Sequence, residues 1–250
     1  GFYATRDEGE THRRLEALLA EPASAPVVLA PGSSARPIRA LSPARRWNVV
    51  LLLEESLGSE FIGALHPDHD EHLTPEFDAL TQTGVLFTQA FSTGNRTIRA
   101  IEATTSSLPP LPGASIVGRR GAKNLFTLPG VLGEEGYQTL FVYGGRAVFD
   151  GMGPYLSANG MQRIVEQSDF PKGEFSTAWG VSDQAILDRS LAEMEAMDRA
   201  GKPFFTMILS VSNHRPYAYP AGTIEPLPGL KRRQNVVRYA DWALWQRAHL

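Results

Sequence analysis

The chain has 250 residues, room for one sizeable α/β domain or two small ones. Hydrophobic residues make up 42% and charged residues 20%, a globular balance, and the net charge of -3 lacks the basic excess of a nucleic-acid surface. The absence of cysteine excludes disulfides, thiolate metal sites and a cysteine nucleophile, and no apolar run approaches the roughly 18 residues of a membrane span.

Residues 1–46 read as a linker with a short N-terminal segment, and the charged start carries no signal peptide. A charged helix is predicted over Asp7 to Leu19, followed by an Ala/Pro/Ser-rich stretch with a short strand at Pro26 to Ala30. From Trp47 onward, strand and helix signals alternate, which predicts an α/β fold: a mostly parallel sheet with helices on both faces. Asn48 to Leu53 is a continuous apolar run, the mark of a strand buried on both faces. Thr74 is placed to cap a helix running from Pro75 through Thr81. Val85 to Phe91 reads as a second strand, Thr97 to Leu108 as a helix stopped by Pro109 and Pro110, and Pro129 to Glu135 as another helix closed by Gly136. Thr139 to Tyr143 follows as a strand. A longer helix is expected from Asp183 as its cap to just before Gly201, and Phe204 to Val211 is the last clear strand. The four tryptophans and the Met194/Met197 pair read as core packing.

Ligands of open parallel sheets bind beyond the carboxyl ends of the strands. Those ends present Glu54, Glu55 and Ser56; Ser92 through Thr97; Tyr143 through Arg146; and Ser212 through Arg215. Thr97 begins a helix, where unpaired N–H groups and the positive end of the dipole favour a phosphate. A threonine hydroxyl becomes a competent nucleophile when a divalent metal lowers its pKa, and Glu55 is placed to supply a hard oxygen ligand for such an ion. By spacing alone, simple helix capping is the commoner role for Thr97. His214 is equally open to a phosphate, metal or proton-donating role and to a structural one. The tract from His66 to His72 is rich in ligand types, but its consecutive spacing fixes no coordination geometry, and it reads as a solvated loop.

Three strings, in order, resemble the lipoteichoic acid synthase and phosphoglycerol transferase family, a sulfatase-like branch of the alkaline phosphatase superfamily. They are Asn48 to Ser56, Phe91 to Thr97 with the following Ala103 to Gly113, and Leu209 to Tyr217. The resemblance implies a partial sulfatase-like catalytic domain over 47–250. It makes Thr97 the nucleophile and, with Glu55, a ligand of a divalent metal, manganese or alternatively magnesium. It assigns His214, Asn95, Arg96 and Tyr143 to substrate binding. The implied reaction moves a phosphoglycerol-type group from a phospholipid headgroup donor to a glycan or polymer acceptor through a phospho-threonine intermediate. The expected location is the cell envelope, on the extracytoplasmic face of the plasma membrane, with membrane attachment through segments outside this sequence. The family's later Asp-His ligand pair has no counterpart here, so weak metal affinity and little turnover are expected. Where some members carry headgroup-binding His, Trp and Arg, this chain has Tyr143, Phe149 and Asp150. A sulfatase-like hydrolase or a non-catalytic headgroup-binding domain are the rival readings.

Overall fold

The computed structural model describes residues 7–19, 43, 45–68, 72–92 and 94–248. The chain divides into a unit over 1–46 and a unit over 47–250. In the first, helix α1 (Glu8–Leu19) starts where the Asp7 carboxylate accepts a hydrogen bond from the Glu10 N–H at 2.9 Å. The expected strand at Pro26 to Ala30 lies outside the described residues.

The second unit is built on a four-stranded parallel sheet in the order β1-β6-β2-β3. Its strands are β1 (Val49–Leu53), β2 (Gln138–Tyr143), β3 (Arg163–Val165) and β6 (Phe204–Leu209). A two-stranded antiparallel hairpin, β4 (Ser176–Thr177) and β5 (Gly180–Val181), stands apart from it. Every residue of the central strand β6 is buried, whereas β1, expected to be buried on both faces, is an edge strand that leaves Val50 49% exposed because no strand among the described residues covers its outer side. Phe141, Phe205, Met207 and Leu140 are almost wholly removed from solvent and anchor the core. Helix α6 (Asp183–Arg199) packs on β6 and β2, α7 (Arg232–Ala248) on α6, and α2 (Pro75–Thr81) on α7. The other helices are α3 (Thr97–Ser106), α4 (Leu128–Glu134) and α5 (Met152–Ala158). Parallel register aligns Leu53 with Leu209 and Leu209 with Tyr143, so three strands end at one level.

Four further expectations change. Val85 to Phe91 is not a strand: no ladder forms along it, and Val85, Phe87 and Phe91 are 82%, 77% and 84% exposed. An apolar run makes a strand only where a sheet edge offers hydrogen-bonding partners, and a turn at Thr88 and Gln89 interrupts this one. Thr74 does not cap α2 with its side chain. Its hydroxyl donates to the Phe61 carbonyl at 3.2 Å, while the Asp241 carboxylate caps the helix from α7, accepting from Glu76 N at 3.0 Å and Phe77 N at 2.8 Å. Ser182, not Asp183, is the N-cap of α6, accepting from Ala185 N at 3.4 Å. The tryptophans are not uniformly core: Trp47 is 65% exposed, because it stands two residues before the edge strand begins to pair.

Candidate active site

The common end-level of β1, β6 and β2 fixes where polar side chains gather. Two residues past β1 stands Glu55, whose N–H donates to Ser210 Oγ at 2.8 Å, tying the ends of β1 and β6 together. Thr97 opens α3 and points its hydroxyl at the same place: Thr97 Oγ1 donates to Glu55 Oε2 at 2.7 Å. The other carboxylate oxygen, Oε1, accepts from Ser56 Oγ at 2.7 Å and lies 3.6 Å from His214 Nε2. A nucleophile candidate, a second hydroxyl and an imidazole thus share one carboxylate.

These groups line a pocket of about 260 Å³ together with Asn95, Arg96 and Tyr143, so all the site residues read from the sequence meet there. Burial, with added repulsion from Glu55 and Asp150, pushes the Tyr143 phenol up to about 12, so it stays neutral at physiological pH. Arg96 donates to Asp150 Oδ2 at 3.0 Å across the pocket. Not every polar residue at the strand ends arrives. Arg146 turns into a neighbouring cavity of about 630 Å³, and Thr93 lies outside the described residues. The described part of the His66 tract is loop and turn away from the pocket lining.

Behind the pocket is a buried acid layer. Ser210 Oγ donates to Glu54 Oε2 at 2.9 Å, and burial, reinforced by the charge of Asp183, pushes Glu54 up to about 8. Burial also raises Asp183, although its Oδ1 accepts from Val211 N at 2.7 Å and Ser212 N at 3.0 Å. Those bonds tie the start of α6 to the turn that carries His214.

A family model described as Sulfatase matches residues 47–246. The chain belongs to the sulfatase family. This sulfatase-family chain is 28% identical over 184 residues to phosphoglycerol transferase I of Xanthomonas campestris pv. campestris, covering 69% of this chain and 26% of that protein. It therefore spans about a quarter of the length of that curated relative. Among solved structures, a protein of the alkaline phosphatase superfamily from Vibrio parahaemolyticus superposes with a TM-score of 0.85 at 37% identity, over 99% of this chain and 60% of that one. The lipoteichoic acid synthase LtaP from Listeria monocytogenes superposes with a TM-score of 0.72 at 21% identity, over 82% of this chain and 52% of that one, a likeness of fold.

The donor chemistry suits part of a hard-cation site. A carboxylate and a hydroxyl oxygen converge at 2.7 Å, and hard divalent ions prefer oxygen ligands. Among the described residues, however, no group of three or more His, Cys, Asp or Glu side chains is arranged to hold a metal ion. Glu55 and Thr97 are thus a partial ligand set.

Sequence reasoning missed Trp179. It lines the pocket, stacks on His214 with ring centroids 4.0 Å apart at 14°, and meets the Phe149 ring edge-on at 6.1 Å. The only local signal is its position next to Gly180, which takes a φ of +139°. A Cβ on Gly180 would lie 2.4 Å from Gly144 backbone atoms, so a side chain there would prevent the hairpin from docking on the end of β2.

Proposed function

We propose that this domain transfers a phosphoglycerol-type group from a phospholipid donor to a glycan or polymer acceptor, with Thr97 as the nucleophile. The observation that carries the reading is the hydrogen bond from Thr97 Oγ1 to Glu55 Oε2, 2.7 Å long, at the start of α3. A hydroxyl is a poor nucleophile until its proton has somewhere to go, and Glu55 is already its acceptor. The likeness to a phosphoglycerol transferase supports the choice of transferred group.

In this mechanism Thr97 Oγ1 forms a bond to the donor phosphorus and its proton passes to Glu55. The bond from phosphorus to the diacylglycerol oxygen breaks, and diacylglycerol leaves after taking up a proton. An acceptor hydroxyl oxygen then bonds to the phosphorus and releases its proton, the bond from phosphorus to Thr97 Oγ1 breaks, and Thr97 regains a proton from Glu55. Unpaired N–H groups at the start of α3, with Arg96 and His214, face the charge on the phosphoryl oxygens. A divalent cation, manganese or magnesium, held by Glu55 and Thr97 would lower the threonine pKa and neutralise phosphoryl charge. Asn95 and the neutral Tyr143 phenol offer hydrogen bonds to headgroup hydroxyls.

The reading places the domain on the extracytoplasmic face of the plasma membrane. Among the described residues, no helix is long and apolar enough to cross a membrane.

The test is a single-turnover assay with manganese and a radiolabelled phosphatidylglycerol. The expected result is release of up to one equivalent of diacylglycerol per protein, abolished by Thr97→Ala. Equal release from the Thr97→Ala protein would overturn the assignment.

A further inference from the structure

We infer that Trp179 is a positioning residue for His214, holding the imidazole plane so that Nε2 is presented to the phosphoryl site. The inference rests on the reading of His214 as a headgroup contact. Among the described residues, the imidazole makes no hydrogen bond of its own; its recorded contacts are the Trp179 face at 4.0 Å and Glu55 Oε1 at 3.6 Å. A histidine side chain has two rotatable bonds, and among the described residues the Trp179 face is the contact that sets the plane of the ring.

Trp179 itself is fixed from three directions. Its indole Nε1 donates to the Arg215 carbonyl at 2.8 Å, one residue past the histidine it covers. Its backbone N–H donates to Thr177 Oγ1 at 3.1 Å. The hairpin beneath it is bound to the end of β2 through Val181 N to Gly144 O at 3.0 Å, at glycine-to-glycine contact distance. The Phe149 edge then packs against the indole at 90°. The indole is therefore a rigid platform, and the imidazole takes its plane from it. A loosely held group costs transition-state stabilisation even when its chemistry is intact.

The experiment compares Trp179→Phe, which keeps an aromatic face, with Trp179→Leu, which removes it. His214→Ala serves as the reference, and core amide resonances report that each variant is folded. Two readouts at one fixed pH are the NMR shifts of the His214 ring protons and the dissociation constant for sn-glycerol-1-phosphate. We expect Trp179→Leu to lose the upfield ring-current shift of His214 and to weaken binding by about as much as His214→Ala. Trp179→Phe should retain most of both. Unchanged His214 shifts in Trp179→Leu would overturn the positioning role alone. Full binding by His214→Ala would overturn the headgroup reading beneath it as well, and the two failures are therefore distinguishable.

Discussion

Arg96 directly precedes Thr97, the proposed nucleophile, yet Asp150 already engages its guanidinium at 3.0 Å. An incoming phosphate must compete with that carboxylate. Because Arg96 is 62% exposed, the contact is a weak one. Asp150→Asn should therefore tighten inorganic phosphate binding by about two- to fivefold. Isothermal titration of the single variants and of the double variant with Arg96→Ala checks this, since the gain should shrink once the arginine is gone. Glu55 is the more demanding position, because its carboxylate accepts the Thr97 proton while also meeting Ser56 and His214. Glu55→Gln should slow the single-turnover release of diacylglycerol by about 100-fold or more, with Thr97 itself untouched. Glu55 and His214 were legible because each follows an apolar run that forms a parallel strand, where such sheets gather their chemistry, whereas Thr97 follows a run that forms no strand and was legible through the resemblance of its segment. Trp179 was not, because the contact that brings it there is between backbones far apart in sequence.

Among the elements, β1 and β6 declared themselves through unbroken apolar runs, and the register between them sets the level of the site. The run at 85–91 is broken by Thr88 and Gln89, where the chain turns, and whether a sheet edge receives such a run is decided by tertiary structure. The cap of α2 was invisible for a similar reason, since Asp241 reaches it from 165 residues away. The β4-β5 hairpin depends on Gly180, where φ is +139° and the Gly144 backbone leaves no room for a Cβ. Gly180→Ala should cost about 3 kcal/mol, measured by urea unfolding. It should also release Trp179 from its place, so the His214 ring shift should move in the same variant.

The molecule as a whole accumulates acids behind its site, and that sets its response to pH. Burial pushes Asp241 up to about 6 and Glu54 up to about 8, both above their ordinary values. An acid whose pKa is raised on folding contributes fully below its unfolded pKa, and that contribution is lost as pH rises through the folded value. Stability should therefore decline from about pH 4 to about pH 8. Urea midpoints across that range check the sign, and Asp241→Asn should flatten the part of the decline below about pH 6. Above the sheet the same crowding of carboxylates leaves Glu55 beside Thr97, and the central claim is that this pair makes the hydroxyl a nucleophile. Peptide mass spectrometry after incubation with manganese and phosphatidylglycerol tests it most directly. The expected result is an added glycerophosphate mass on the peptide carrying Thr97, missing in Thr97→Ala and diminished in Glu55→Gln. The same mass on another residue, or no adduct on a protein that binds sn-glycerol-1-phosphate, would contradict it.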